Sequence, residues 1–140
     1  MAETFQLDIV TPSRHLLSEK VEEVVLPGIL GEFGVLANHT PFFTQLNTGE
    51  LKVVKEEKDY YFAVAGGFVE VTGDYVIVLA DFAEPADEIE TKKVRALLEE
   101  AKNKLDQLGI EKVNENEYQE LLKTIKKEET RLMVAEKAKE

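Results

Sequence analysis

The hydrophobic period of this 140-residue chain changes once, close to residue 87, and that change limits its fold more than any single motif. Before it, apolar residues alternate or gather in short runs. Phe5, Leu7 and Ile9 alternate, and Val21, Val24, Val25 and Leu26 form a second run. Leu51, Val53 and Val54 lead into the charged turn KEEKD, followed by Tyr60 to Val64, then Phe68 to Val71 after Gly66-Gly67, then Tyr75 to Leu79 after Gly73-Asp74. Short β-branched and aromatic runs with turn signals about every 8–12 residues predict antiparallel strands in a sandwich or barrel.

Beyond Pro85 the spacing becomes helical. Val94, Leu97, Leu98, Ala101, Leu105 and Leu108 follow the i, i+3, i+4, i+7 rule. Asp87 and Glu90 have the spacing of a capping box, with Asp in place of Ser or Thr, and Gly109 stands where a C-cap belongs. Asn114 and Glu117 repeat the cap spacing ahead of Tyr118, Leu121, Leu122, Ile125 and Leu132. Glu128 and Glu129 fall on the next stripe position and interrupt this second apolar face. The expected architecture is an all-β N-terminal sandwich or barrel over residues 1–87, then a C-terminal antiparallel α-helical hairpin over residues 88–140. Each helix has one narrow stripe, so the hairpin leans on the β domain or on a partner.

Charge divides the chain at the same point. Residues 1–87 hold fifteen acidic and five basic side chains, whereas residues 88–140 hold thirteen and twelve. The net charge of −11 disfavours nucleic acid and anionic lipid as partners. The chain has no cysteine, which removes disulfides, thiolate nucleophiles and cysteine-ligated zinc. No apolar run approaches the ~18 residues of a spanning helix, and the first ten residues lack a basic stretch followed by an apolar one. The expectation is a soluble, intracellular chain without direct membrane insertion.

Catalytic signals are sparse. His15 and His39 are the only histidines, with no ligand cluster beside either in sequence. Ser13 and Ser18 sit in no nucleophile-elbow context. Gly28, Gly31 and Gly34 form Gly-x-x-Gly-x-x-Gly, which is neither the dinucleotide fingerprint nor a P-loop, and no Lys-Ser/Thr follows. They read as turn and close-approach glycines of a β domain. No catalytic residue, metal ligand or cofactor is assigned.

GEFGVLANHTP, followed by Phe42-Phe43 and Leu46, closely resembles a segment of the epsilon subunit of F-type ATP synthases. The likeness extends to FQLDIVTPSRHLLSEKVEEVVLPG near the start, to Val64–Val71, to Val-Leu-Ala-Asp at 78–81, and to Arg-Leu-x-Val-Ala-Glu at 131–136. It implies a non-catalytic central-stalk rotor subunit, peripheral to the cytoplasmic face of the cell inner membrane through its complex. The β domain would couple the gamma subunit to the c-ring, and the hairpin would inhibit ATP hydrolysis.

On that resemblance Glu32 and Phe33 belong to the loop that meets the c-ring, and His39 and Pro41 hold that loop on the sandwich. Ala37-Asn38 departs from the Pro-Gly of many members. Lys123, Lys126, Lys127 and Arg131 match basic residues that meet the catalytic alpha/beta subunits, in particular an acidic segment of beta; their plainer reading is a solvated face paired with Glu120, Glu128 and Glu129. Some members bind regulatory ATP through Ile/Leu-Asp-x-x-Arg-Ala. Here Glu90 stands for Asp, Lys93 for Arg and Val94 for Ala. Arg95 arrives two residues late, turned by roughly 200°. Glu120 and Lys127 match second-helix arginines of those members, so Glu90, Lys93, Arg95 and Lys127 are the residues that would face a nucleotide. The alternatives are a small β-barrel metal-dependent enzyme using His39 with nearby carboxylates, and a free-standing adaptor.

Overall fold

In the computed structural model, which describes residues 3–108 and 115–139, the alternating segment at the start becomes strand β1, Phe5–Val10. It is followed by β2 (His15–Val21), β3 (Glu23–Gly28), β4 (Gly31–Leu36), β5 (Phe42–Gln45) and β6 (Gly49–Lys55). Two long strands close the β half, β7 (Lys58–Thr72) and β8 (Tyr75–Pro85). The sheet order is β2-β1-β8-β7-β6-β3-β4, with β5 also pairing β7. All these pairs are antiparallel except β1 with β8.

Gly66-Gly67 does not end a strand, as its position between two apolar runs predicts. β7 runs straight through it. Before the glycines β7 pairs with β6, after them with β5, and β8 accompanies it on both sides. The pair therefore folds one sheet into two facing layers. Gly67 has φ 114°, and a Cβ there would overlap the carbonyl oxygen of Leu79 on β8. No side chain fits that approach.

Between the layers lies the core. Leu7 and Ile9 of β1, Val24 and Leu26 of β3, Leu51 of β6, Val64 and Val69 of β7 and Val78 of β8 are fully buried in it. Each contributes on the order of 1.5–3 kcal/mol of burial free energy, which makes this cluster the main source of stability.

A short 3-10 turn, Ala86–Glu88, leads to α1 (Thr91–Leu108) and α2 (Glu115–Lys137). The Asp87 capping box places the helix start too early. Asp87 lies in the 3-10 turn, and an early α-type bond runs from the Val94 N–H to the Glu90 carbonyl. Gly109 and Asn114, read as caps, lie outside the described residues.

The helices pack on one another and α2 also lies on β7 and β6. A second buried cluster forms there from Ala63, Ile89, Val94, Val134 and Ala135, with Tyr61, Phe82 and Leu132 against it. Period-2 alternation explains this: Phe62 and Val64 face the inner core, so Ala63 faces the hairpin. Among the described residues no helix is long and apolar enough to cross a membrane.

Candidate functional site

Two regions carry the residues singled out from the sequence. The first is the edge formed by β4 and the loop after it. β4 pairs with β3 in a tight hairpin, Gly28 opposite Gly31 and Pro27 opposite Glu32, which projects Ile29 and Leu30 at its tip. Gly31 has φ 130° at the end of this turn. Leu30 is 91% exposed and Glu32 is exposed beside it. The sequence does not single out these two aliphatic residues, which stand between Gly28 and Gly31 with no signal that marks them as exposed.

Phe33 packs edge-on against Phe42, with ring centroids 5.3 Å apart. His39 and the exposed Pro41 occupy the loop at the far end of β4 from the tip. The structure thus strings Glu32, Phe33, His39 and Pro41 along one edge rather than gathering them at a point. His39 Nδ1 lies 2.6 Å from the Thr40 carbonyl oxygen, so Nδ1 carries the donated proton. The ties to the rest of the sandwich run through Asn38. Its N–H donates to the Gly73 carbonyl (3.1 Å) and its Nδ2 to Glu3 Oε2 (2.9 Å). Asn38 adopts φ 64°, a left-handed conformation that asparagine tolerates, and so accommodates the absence of glycine there.

The second region is the seam between α2 and the sandwich. Arg131 stands at its centre. Its Nε donates to Glu84 Oε1 at 2.8 Å, Nη2 to Glu84 Oε2 at 3.3 Å, and Nη1 to Glu128 Oε1 at 2.6 Å. Glu128, which reads as a break in the apolar stripe, is instead a buried partner of this guanidinium. Burial works against the charge on Arg131, yet the two carboxylates more than compensate and raise its pKa above the ordinary arginine value. Lys127 Nζ sits 4.0 Å from the centroid of the Phe82 ring, and Lys126 Nζ donates to Asn47 Oδ1 at 3.0 Å. Lys137 pairs with Glu50 at 3.0 Å. Lys123 pairs locally with Glu120 at 3.6 Å.

Three of the four basic residues assigned to a partner therefore face this chain's own sandwich. Lys123, Lys126 and Lys127 also line a cleft of about 550 Å³ between α2 and the sandwich, with Asp81 and Glu120 on its wall. The nucleotide candidates are not gathered. Glu90 and Lys93 pair with each other at 3.1 Å on the exposed start of α1, and Arg95 pairs with Glu136 at 3.2 Å. Glu136 lies nine residues beyond Lys127 on α2, roughly 14 Å along the axis. Among the described residues no group of three or more His, Cys, Asp or Glu side chains is placed to hold a metal ion.

One further polar cluster lies on the outer face of β1. Asp8 is buried and accepts from Tyr75 and Gln6, with His15 Nε2 at 3.5 Å and Ser18 directly opposite it on β2. Ser18 and Tyr75 foremost, acting against burial, hold its carboxyl down at about 2, and the bond to Asp8 raises the Tyr75 phenol.

The family described as the ATP synthase delta/epsilon chain beta-sandwich domain matches residues 4–86. The ATP synthase epsilon chain of Geotalea uraniireducens (strain Rf4) is 41% identical over 138 residues, covering 99% of this chain and 98% of its own length. That of Anaeromyxobacter sp. (strain K) is 49% identical over 102 residues, 73% of this chain and 77% of its own. Among solved structures, a chain of the Euglena gracilis mitochondrial ATP synthase, determined as an OSCP/F1/c-ring assembly, superposes with a TM-score of 0.77 at 26% identity, covering 97% of this chain and 81% of that one. The match to the sandwich family over more than half of the chain and the near end-to-end similarity to these relatives, in a sandwich that carries a two-helix extension, place the chain in the ATP synthase epsilon chain family.

Proposed function

We propose that the sandwich couples the gamma subunit to the c-ring through the edge that carries Leu30, Glu32, Phe33, His39 and Pro41, and that the hairpin restrains ATP hydrolysis. The protein is a non-catalytic accessory subunit of the ATP synthase; we place it on the cytoplasmic face of the inner membrane, held there through the complex. The observation that carries the hairpin reading is the occupation of Lys126, Lys127 and Arg131 by Asn47, Phe82 and Glu84 of the sandwich. While those contacts last, the cations are unavailable to an acidic surface on the catalytic subunits. Once the hairpin swings away, the same side chains are free to meet it. A stowed and a released position of one element give a two-state regulator.

We do not assign regulatory ATP to the hairpin. That reading rests on the distribution of Glu90, Lys93, Arg95 and Lys127 over two separate ion pairs and one ring contact.

The test uses a chain with no native cysteine. A Glu50→Cys/Lys137→Cys variant, bridged by a short bis-maleimide, keeps the hairpin stowed. Added to an epsilon-free catalytic core, the unbridged chain should slow ATP hydrolysis and the bridged chain should bind without slowing it. Equal inhibition by both forms would refute release of the hairpin as the braking step.

A further inference from the structure

Polar side chains stand at three inward positions of the sandwich. β1 sets its buried Phe5, Leu7 and Ile9 opposite Val21, Glu19 and Leu17, so these β2 residues face inward as well. In the other layer β7 sets Phe62 and Tyr60 opposite the buried Leu51 and Val53 of β6. Lys55 extends that inward row of β6 by two residues. Period-2 alternation calls for apolar residues at all of these positions, yet Glu19, Lys55 and Tyr60 occupy three of them.

Glu19 and Lys55 meet across the gap between the layers, where Lys55 Nζ donates to Glu19 Oε2 at 2.8 Å. A cavity of about 220 Å³ opens beside them, lined otherwise by Leu17, Val53, Tyr60 and Phe62. Water and solutes reach the pair, since the Lys55 side chain is 33% exposed and that of Glu19 42%. The bond to Glu19 foremost holds the Lys55 amine above its ordinary pKa, so the ammonium stays charged at neutral pH. No residue assigned to the β4 edge or to the seam with α2 lines this cavity.

The ion pair uses one N–H of Lys55 and one oxygen of Glu19, which leaves further donors and a second acceptor oxygen open to a ligand. A simple anion is opposed by Glu19 and by the acidic surplus of residues 1–87, and a simple cation meets Lys55. A zwitterion satisfies both groups at once. The two charged groups of an α-amino acid share one carbon, which suits the 2.8 Å spacing of the pair.

We propose that this cavity binds a free apolar α-amino acid. Its ammonium sits on Glu19, its carboxylate on Lys55, and its side chain among Leu17, Val53 and Phe62. Four charges then alternate in sign around a closed ring, and the ion pair need not open. The site goes beyond the rotor reading and does not depend on it.

The test titrates L-leucine into the full chain, labelled with ¹⁵N and ¹³C, and follows its NMR spectrum. Leucine should shift the signals of Leu17, Val53, Tyr60 and Phe62 saturably, with a dissociation constant of about a millimolar, within reach of ligands this small. Isocaproate lacks the ammonium and isoamylamine the carboxylate. Each should bind about tenfold more weakly or worse, because it leaves one charged group without its partner. Glu19→Gln should abolish the preference for leucine over isocaproate, and Lys55→Met the preference over isoamylamine. The urea midpoint checks that each variant folds, and the ligand series on the parent decides the matter even if neither does. No saturable shift up to about 10 mM leucine, equal affinity for leucine and both analogues, or unchanged preferences in the folded variants would overturn the proposal. The inward ion pair would then serve only to guard the open edge of β2.

Discussion

Replacing Arg131 by methionine should release the hairpin and leave the sandwich folded. The Arg131 side chain is 15% exposed and that of Glu128 5%, so truncating the guanidinium strands one nearly buried carboxylate and one at the rim. Breaking a fully buried pair costs about 3–5 kcal/mol, and partial access of water to Glu84 reduces this to about 2–4 kcal/mol. At ~1.4 kcal/mol per tenfold, the equilibrium between docked and released hairpin shifts about thirtyfold to several-hundredfold. Hydrogen exchange followed by mass spectrometry reads this directly. Amides of α2 from residue 121 to 137 should lose protection by that factor, since a narrow-striped hairpin off its support has little stability of its own. Amides of β1, β7 and β8 should keep theirs, because the main core is a separate cluster. Adding Glu128→Leu to Arg131→Met should restore part of the protection by removing the stranded charge. Unchanged exchange in α2, or equal losses in α2 and the core strands, would refute the clamp.

Two further outcomes follow from other sites. The Asp8 carboxyl ionises at about 2 in the folded protein against an ordinary value of 3.8, so its contribution to stability is present above that ordinary value and is lost as pH falls through about 2; urea unfolding between pH 5 and pH 2 should show a steeper loss for the parent than for Asp8→Asn. Gly67→Ala places a Cβ onto the Leu79 carbonyl oxygen at a φ of 114° and should cost about 2–4 kcal/mol, read as a lower urea midpoint; an unchanged midpoint would mean that β7 does not need its bend there.

How far the sequence carries can be seen in single residues. Phe5, Leu7 and Ile9 announce β1 because period-2 alternation is a local property, and the switch to Val94, Leu97 and Leu98 announces α1 for the same reason. Gly66-Gly67 suits a turn and a close backbone approach equally well, and only the neighbouring strand shows that the second holds, at a bend within β7. The clamp was invisible because its partners are remote: Arg131 and Glu84 are 47 residues apart, Lys126 and Asn47 79, Lys137 and Glu50 87. Local charge patterns near Arg131 offered Glu128 and Glu129, of which the structure uses the first. The loop residues His39 and Pro41 were locatable by resemblance, whereas the exposure of Ile29 and Leu30 depends on the two-residue hairpin tip formed only when β3 meets β4.

The parallel pairing of β1 with β8 sets an order of assembly. Gln6 to Val10 must find Tyr75 to Leu79, so a strand made early waits for one made about seventy residues later. Such distant pairing carries a loop-closure penalty and folds slowly compared with local hairpins. On the ribosome β1 and β2 can pair at once, but the sandwich stays open, with its future core facing water, until β8 slides between β1 and β7. The Arg131 clamp arrives later still and grips Glu84 at the end of that same closing strand. Nascent chains halted between β7 and β8 are therefore the population most exposed to aggregation and to protease, whereas chains halted beyond β8 already hold every strand of the sandwich and lack only the clamp.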